Sequence, residues 1–343
     1  MADASISVAM CTRNGEQYVA RQVQSILSQR PAPLEIVVGD DDSSDDTLAI
    51  IEREHAAART ADATLPTTLT IIRRDPPLGV TANFAATIEA CQGDLIALSD
   101  QDDEWMPGKL AALSAAFAAD PELLLAHTDA RLVDADGTPL GLTVLDALEA
   151  TAAERVGLVA GDALPVLLRR NLVTGATVML RRTLLEHALP IPGEWVHDEW
   201  LAAVAASVGR VRLLPEPLID YRQHGGNEIG ARRPGLVDKL ARLREPRAER
   251  AARLATRTAL LAERGRSLGL PAAVQQQLDA KAEHEARRAR LPRVRIARVP
   301  AVLGGAITGR YGRYSRGAMD VLRDLVTPAG PLPVMTLSDG GEA

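Results

Sequence analysis

Short apolar runs alternate with amphipathic segments over the first 130 residues of the chain. The apolar runs have the length and composition of buried strands, and they cover residues 6–10, 34–38, 69–73, 95–98 and 123–128. The segments between them predict helices over residues 16–29, 46–58, 80–90 and 108–119. Strands and helices that alternate with short loops are typical of a mostly parallel sheet flanked by helices. The pattern therefore predicts an α/β fold.

The pattern becomes less regular in the second half of the chain. We expect a loop that enters a strand over 171–180, a helix over 197–207 and an extended segment over 213–221. From about residue 234 the chain is helical and rich in Arg and Ala, and from Thr327 it is rich in Gly and Pro. We therefore predict three parts: an α/β domain over 1–231, a helical extension over 232–326 and a disordered tail over 327–343.

Charge divides the chain at the same place. Residues 1–231 contain 17 Lys and Arg against 34 Asp and Glu, whereas residues 232–323 contain 22 bases against 8 acids. A basic helical region can bind anionic lipid, nucleic acid or an acidic surface of its own chain. Nucleic acid is disfavoured, because the acidic domain would repel it and the extension has only two aromatic residues, Tyr311 and Tyr314. We favour membrane docking over packing on the acidic domain or oligomerisation. His284 lies within a charged helix, and we expect it on the surface.

Composition excludes several classes of protein. Two cysteines, Cys11 and Cys91, are too few for a disulfide-stapled secreted fold. The first residues lack the basic and apolar regions of a signal peptide, and no run reaches the length of a membrane-spanning helix. We therefore expect a cytoplasmic protein, peripheral on the inner face of the plasma membrane if the basic extension docks there.

Polar residues follow three predicted strands. Thr12 to Asn14 follow the first strand, Gly39 to Asp42 the second and Asp100 to Asp103 the fourth. Since ligands bind beyond the carboxyl ends of parallel strands, these residues predict a site at one edge of the sheet. The spacing of Asp100 and Asp102 suits a divalent cation that also meets a diphosphate, and the alternative is a solvated acidic turn.

Other polar residues have both a structural and a functional interpretation. Asp41 suits a nucleobase or ribose contact, or caps the next helix. Asp198 opens a helix, where it is either a general base or a carboxylate stabilised by the helix dipole. Arg222 and His224 suit phosphate or metal contacts, or belong to an ordinary glycine turn. The three tryptophans lie beside these motifs, which favours a ligand cleft in a chain with 3% aromatic residues.

Taken in order, these motifs resemble glycosyltransferase family 2, the inverting GT-A fold. The resemblance covers about residues 5–231 and rests on an ordered set of segments: Cys11 to Tyr18, Gly39 to Asp45, Gly79 to Phe84, Ser99 to Trp105, Asn171 to Gly175, His197 to Ala202 and Tyr221 to His224. It is closest to rhamnosyltransferase-like bacterial members. Arg13, Asp42 and Glu199 depart from the family pattern, which leaves nucleotide and acceptor preference open.

The resemblance implies a role for each matching residue. Asp198 would be the catalytic base, and Mg²⁺ or Mn²⁺ would be bound by Asp102, Asp100 and His224. The residues expected to bind the nucleotide sugar are Thr12, Asn14, Glu16, Asp41, Asn83, Asp100, Gln101 and Arg222. The residues expected on the acceptor side are Gly175, Trp195, His197 and Trp200.

The implied activity is an inverting transfer of a sugar from a nucleoside-diphosphate sugar, with dTDP-rhamnose as one possible donor. The acceptor would be a hydroxyl of a glycan or lipid-linked molecule in cell-surface polysaccharide synthesis. A non-catalytic nucleotide-sugar or glycan-binding relative is the main alternative, and both Asp102 and Asp198, whose loss would indicate it, are present. A sugar nucleotidyltransferase is less favoured, because the loop after the first strand is not rich in glycine. A basic membrane-binding scaffold would leave the first 231 residues unexplained.

Overall fold

The computed structural model describes residues 4–225 and 247–328. They divide into two units. The sheet unit comprises residues 4–167 and 171–225, and the helical unit comprises residues 168–170 and 247–328. Expectations for residues 226–246 and 329–343, which include part of the predicted extension and most of the predicted tail, lie outside the described residues. No helix among the described residues is long and apolar enough to cross a bilayer.

The strands of the sheet unit are β1 (Ile6–Thr12), β2 (Glu35–Asp40), β3 (Thr68–Arg73), β4 (Leu95–Ser99), β5 (Glu104–Trp105), β6 (Leu123–Val133), β7 (Pro139–Thr143), β8 (Val178–Arg181) and β9 (Arg210–Arg222). Its helices are α1 (Val19–Leu27), α2 (Thr47–Ala61), α3 (Val80–Ala90), α4 (Lys109–Ala119), α5 (Val144–Ala147), α6 (Ala152–Ala160), α7 (Leu164–Leu167), α8 (Leu185–Ala188) and α9 (His197–Val208).

One mixed sheet forms the centre of this unit. Its strand order is β3-β2-β1-β4-β8-β6-β9-β5, and β7 pairs with β6. The first four strands in this order are parallel, β8 is antiparallel to both neighbours, and β6 and β9 are parallel. The predicted α/β class, with a curled sheet flanked by helices, is therefore confirmed.

Burial explains why these segments form their elements. The central strands β2 and β4 are buried at every position, as expected for continuous apolar runs covered on both faces. The outer strand β3 alternates between exposed and half-buried residues. In α1 the predicted apolar face is confirmed, because Val19, Val23 and Ile26 are fully buried. Sequence patterns did not predict β5, β7 or the short helices α5 to α7, whose apolar stretches are too short to show a period.

The helical unit contains α10 (Arg247–Ser267), α11 (Ala272–Ala289), α12 (Arg295–Ile307), α13 (Arg310–Tyr314) and α14 (Ala318–Val326). Its interior contains charged groups. Arg288 bonds to Asp324 at 2.7 Å and to Glu285 at 3.1 Å, and all three are buried. The guanidinium of Arg298 is fully buried and donates to backbone carbonyls, including those of Asp324 and Thr327.

One sequence expectation about this unit is wrong. His284 is 3% exposed instead of lying on the surface. Its Nε2 lies 2.7 Å from Ser315 Oγ, and its ring packs edge-on against Tyr311. Three charged residues near it in the sequence, Lys281, Glu285 and Arg288, bond to each other inside the unit, so they do not indicate a solvated face.

Candidate active site

The sheet brings together the three predicted polar loops. Thr12 at the end of β1 is paired with Asp40 at the end of β2, and Met10 of β1 is paired with Ser99 of β4. The three strands are neighbours and run in the same direction, so the loops that follow them emerge at one edge. This confirms the expected convergence.

The first two loops are cross-linked by hydrogen bonds. The Thr12 hydroxyl donates to Asp40 Oδ1 at 2.8 Å, and both residues are buried. The side-chain oxygen of Asn14 accepts the Ser44 N–H at 2.9 Å, and the Asn14 N–H donates to Ser43 Oγ at 2.9 Å. Asn14 has a φ of 48°, a left-handed conformation that Asn tolerates better than most residues. These side chains therefore fix the shape of the loops.

Glu16 and Asp41 make similar backbone contacts. Glu16 Oε2 accepts the Asp46 N–H at 3.1 Å. The two carboxylate oxygens of buried Asp41 accept the N–H groups of Leu78 and Gly79, at 2.6 and 2.9 Å. Asp41 thus holds the segment that leads into α3. Its predicted contact with the nucleotide stays a prediction.

Asn83 and Gly39 meet beneath these loops. Asn83 is buried in α3, and its side-chain amide donates to the Gly39 carbonyl at 2.7 Å. A Cβ at Gly39 would lie 2.5 Å from Asn83 Oδ1 and 2.0 Å from Thr87 Oγ1. The buried Asn83 Oδ1 has no hydrogen-bond partner among the described residues. Only glycine fits at position 39, and sequence reasoning assigned this residue no role of its own.

Gln101 fastens the acidic loop to the first loop. Its side chain accepts the Arg13 N–H at 2.8 Å and donates to the Arg13 carbonyl at 2.9 Å. A Cβ at Gly15 would lie 2.2 Å from Gln101 Oε1, so this close approach requires glycine. Gln101 therefore joins two loops through a pair of backbone bonds.

Arg222 supports the same acidic loop from below. It is buried, its Nε donates to the Asp102 carbonyl at 2.9 Å, and its terminal nitrogen donates to the Ala135 carbonyl at 3.0 Å. Its backbone N–H donates to Asp103 Oδ1 at 3.0 Å. The guanidinium therefore braces backbone carbonyls in this structure, and its predicted contact with the donor stays a prediction.

His224 and Asp102 are in direct contact. His224 Nε2 lies 2.8 Å from Asp102 Oδ2, and both side chains are mostly buried. The His224 ring stacks on Tyr18 with centroids 4.8 Å apart. Tyr18 also lies 5.1 Å from the guanidinium carbon of Arg222. Sequence reasoning gave Tyr18 no site role, although a tyrosine beside a polar loop in a chain poor in aromatic residues was a signal.

Asp198 lies in the first turn of α9. Its Oδ2 accepts the Gly175 N–H at 2.9 Å, and its Oδ1 accepts the Glu199 N–H at 2.7 Å. A Cβ at Gly175 would lie 3.0 Å from His197 Nε2. The segment 175–177 and the start of α9 are thus held in close contact, and Gly175 allows that contact.

The aromatic residues around Asp198 differ in exposure. His197 is buried, stacks on Phe84 at 4.0 Å, and has no hydrogen-bond partner at either ring nitrogen among the described residues. Burial lowers the pKa of His197. Trp195 is half-buried and packs edge-on against Trp200. Trp200 is fully buried, its indole N–H donates to the carbonyl of Ala188, and its ring supports Trp195 from the core. Its predicted place on the acceptor side stays a prediction.

The charge of Asp198, at the start of α9, affects the pKa of Asp100, in the loop after β4. Burial, followed by the charges of Asp102 and Asp198, raises the pKa of Asp100 to about 7. Burial and the charges of Asp102 and Asp100 raise the pKa of Asp103 well above its usual range. The Asp198 carboxylate is therefore close enough to the acidic loop for the charges to interact.

Lys109 is the buried cation beside this cluster. Its ammonium group donates to the Ala176 carbonyl at 2.8 Å and lies 3.7 Å above the Trp105 ring. Burial lowers the pKa of Lys109, whereas the charges of Asp103 and Asp100 raise it. A lysine at the start of a helix normally reads as a surface residue, and sequence reasoning did not identify it.

The chemistry of the donors fits a hard divalent cation. Asp102 and His224 place an oxygen and an imidazole nitrogen side by side, and the repulsion among neighbouring carboxylates favours an additional positive charge. Among residues 4–225 and 247–328, however, no three His, Cys, Asp or Glu side chains are arranged as a metal site. Metal binding by Asp100, Asp102 and His224 therefore remains a prediction.

Several known proteins are similar to this chain in sequence or in fold. Residues 7–161 match the family model "Glycosyl transferase family 2". An uncharacterised protein of Mycobacterium tuberculosis is 28% identical over 222 residues, which are 64% of this chain and 59% of that protein. An uncharacterised glycosyltransferase of Nostoc is 27% identical over 232 residues, which are 65% of this chain and 66% of that protein. The chain thus spans about 59% of the length of the first relative.

Two solved structures share the fold at low sequence identity. Residues 1–349 of TarS from S. aureus, in complex with UDP-GlcNAc, are 16% identical with a TM-score of 0.54, covering 93% of this chain and 89% of that chain. A mannosyltransferase from Pyrobaculum calidifontis, in complex with GDP-Man and Mn²⁺, is 17% identical with a TM-score of 0.52, covering 95% of this chain and 86% of that chain. The expected GT-A-like fold is confirmed. Residues 7–161, which hold the first three loops of the site, are the part of the chain that is similar to glycosyl transferase family 2.

Proposed function

We propose that this protein transfers a sugar from a nucleoside-diphosphate sugar to a hydroxyl group, with inversion at the anomeric carbon. The observation that carries the proposal is the placement of two carboxylates: Asp102 contacts His224 at 2.8 Å after β4, and Asp198 accepts the Gly175 N–H at 2.9 Å at the start of α9. Such a transfer needs a base at the acceptor hydroxyl and, close to it, a site that neutralises the charge of the leaving diphosphate. Here the base comes from α9 and the diphosphate site from the loop after β4.

Asp198 is the general base in this proposal. The first turn of α9 and the Gly175 N–H both stabilise a negative charge on this carboxylate, which favours the ionised form that can accept a proton. The acceptor hydroxyl gives its proton to Asp198, and its oxygen forms the new bond to the anomeric carbon. The bond from that carbon to the diphosphate breaks, and the electron pair leaves with the nucleoside diphosphate. Because one displacement occurs, configuration inverts.

Asp102 and His224 would hold Mg²⁺ or Mn²⁺, with Asp100 as a further carboxylate. When bound, the ion would neutralise charge on the leaving diphosphate. Asp41, Asn14 and Thr12 shape the adjoining loops through the bonds described above, and we assign the nucleotide to the edge of the sheet where these loops meet.

We propose the donor and the acceptor as chemical classes. The rhamnosyltransferase-like motifs make dTDP-rhamnose the first donor to test. The sugar nucleotides in the two structural relatives, UDP-GlcNAc and GDP-Man, add UDP-sugars and GDP-sugars to the panel. We propose a glycan or lipid-linked acceptor in cell-surface polysaccharide synthesis, acted on at the cytoplasmic side of the membrane.

The test is release of nucleoside diphosphate by the full chain. The protein is incubated with dTDP-rhamnose, UDP-sugars and GDP-sugars, with Mn²⁺ or with EDTA. Matched variants are Asp198→Asn and Asp102→Asn, with Asp162→Asn as an exposed carboxylate control. Release that needs metal, persists in Asp162→Asn and falls at least about a hundredfold in the other two supports the proposal. Hydrolytic or transfer activity that survives in Asp198→Asn contradicts the assigned base, and absence of both release and calorimetric nucleotide binding favours a non-catalytic relative.

A further inference from the structure

Helix α12 presents a stripe of exposed apolar side chains. Ile296, Val299, Leu303 and Ile307 recur at intervals of three and four residues, so they lie on one face of the helix. Ile296 and Ile307 are 79% and 86% exposed. Isolated exposed apolar residues need no explanation, but a helical stripe of four is a patch.

The patch continues beyond this helix. Helix α14, which packs against α12, has its own exposed apolar residues Met319, Leu322 and Val326, again spaced by three and four. Of the fourteen exposed large apolar side chains recorded for the described residues, eight lie between Val294 and Val326. Apolar exposure is therefore concentrated in one part of the helical unit.

The same part of the chain carries a single sign of charge. Residues 286–319 contain nine arginines and no Asp, Glu or Lys. Two of the nine, Arg288 and Arg298, are buried in the interior of the unit. The exposed ones are Arg287, Arg290, Arg293, Arg295, Arg313 and Arg316.

A basic pocket adjoins the helix. It has a volume of about 600 Å³ and is lined by residues of α11, α12 and α13. Arg287, Arg290 and Arg310 contribute guanidinium groups, of which Arg287 and Arg310 also pair with Glu283 at the surface. Gly304 of α12 and Thr308, which follows this helix, form part of its wall. Its size and charge suit a phosphate-bearing group, because guanidinium donors match phosphate oxygens.

We propose that α12 and the arginines around it dock the protein on an anionic phospholipid surface. The apolar stripe enters the boundary between headgroups and acyl chains, and the arginines contact lipid phosphates. Nucleic acid does not suit this surface, because Tyr311 and Tyr314 are both buried and provide no stacking platform. The proposal rests on the helical unit alone and does not depend on the transfer reaction.

The test is flotation of the full chain with vesicles. Vesicles of phosphatidylcholine alone are compared with vesicles that contain phosphatidylglycerol, at about 0.1 M and about 0.5 M salt. Ile296→Asp with Ile307→Asp removes the apolar stripe, and Arg290→Glu with Arg293→Glu reverses exposed charge. Matched controls in the sheet unit are Val156→Asp, at a side chain that is 68% exposed, and Arg59→Glu on exposed α2.

We expect binding to the anionic vesicles only, reduced by salt and by at least about tenfold in each double variant. The two controls should bind like the unmodified chain, and circular dichroism should show unchanged helix content in all variants. Absence of binding to anionic vesicles, or binding unaffected by both double variants, overturns the proposal. Light scattering provides a second readout: a dimer that Ile296→Asp with Ile307→Asp converts to a monomer, without vesicle binding, would make this face a contact between copies of the chain instead.

Discussion

Asp102 and His224 are 122 positions apart in the chain, yet Oδ2 of the aspartate lies 2.8 Å from Nε2 of the histidine. The contact joins the loop after β4 to the end of β9, the two ends of the proposed diphosphate site. Tyr18 stacks on the histidine and limits its rotation. The geometry therefore fixes the carboxylate and the imidazole side by side, and their predicted binding of a metal ion can be tested.

His224→Ala tests whether this pair holds a metal. The variant should raise the Mn²⁺ concentration at half-saturation by at least about tenfold, because it removes one ligand and the partner that orients the other. The measurement is calorimetric titration of Mn²⁺ into protein saturated with nucleoside diphosphate. His187→Ala is the control, since His187 lies outside the site. His224→Gln separates the two roles: it can restore a hydrogen bond to Asp102, so full recovery with Gln would show that His224 orients Asp102 without binding the ion.

Gly175→Ala tests the contact that positions the proposed base. Its Cβ would lie 3.0 Å from His197 Nε2, so either the buried His197 ring or the Gly175 segment, which holds Asp198, must shift by a few tenths of an ångström. We expect kcat to fall by about tenfold or more while KM for the donor changes little, because Asp198 acts on the acceptor side. Gly193→Ala is the matched control, since its Cβ would have no neighbour within 4 Å. Equal kcat in the two variants would contradict a positioning role for Gly175.

The sequence predicts the edge of the sheet where the site lies. Apolar runs identify β1, β2 and β4, and the parallel arrangement of such runs places Thr12, Asp40 and Ser99 at neighbouring strand ends. The residues on those loops could be named for the same reason. Most of their side chains, however, bond to backbone groups of other loops, as Gln101 does with Arg13, and a linear pattern contains no information about such pairs.

The sequence did not predict the burial of two titratable side chains, Lys109 and His284. Lys109 and His284 each lie in a sequence context that suggests solvent, and each is buried by elements distant in the chain. Lys109 bonds to Ala176, 67 positions away, and His284 to Ser315, 31 positions away. Burial of such groups depends on partners that three-dimensional packing supplies, whereas periodicity reports only the average polarity of a face.

Lys109→Met should destabilise the sheet unit. Methionine fills a similar volume, but half-buried Asp100 and buried Asp103 lose the positive charge of Lys109, which lowers the pKa of both carboxylates. The buried carbonyl of Ala176 also loses its donor, and leaving a buried acceptor unpaired costs about 1–3 kcal/mol. Urea unfolding followed by tryptophan fluorescence measures the loss, because all three tryptophans lie in the sheet unit. Arg59→Met, at an exposed residue of α2, is the control for loss of a positive charge, and a variant of Lys109 as stable as this control would show that the cation is dispensable.

The helical unit should lose stability as the pH falls below neutrality, through His284. Burial is the main reason that the pKa of His284 is lowered to about 4; the charge of Glu285 raises it, and the charges of Arg288 and Lys281 lower it. In the unfolded chain the same group titrates near pH 6.5, so between about pH 6.5 and pH 4 the unfolded state binds a proton that the folded state does not. The free energy of unfolding therefore falls with pH across this window, by about 1 kcal/mol at pH 5.5 relative to pH 7.5.

His284→Gln removes this titration and keeps a group that can bond to Ser315. Urea unfolding of the full chain at pH 7.5 and 5.5, followed by circular dichroism at 222 nm, should show a smaller acid-induced loss in the variant. Tryptophan fluorescence, which reports the sheet unit alone, should show the same pH dependence in both proteins. An identical loss by circular dichroism in the variant would contradict the prediction, because a carboxylate with a lowered pKa, such as Asp320, loses its contribution only below about pH 5.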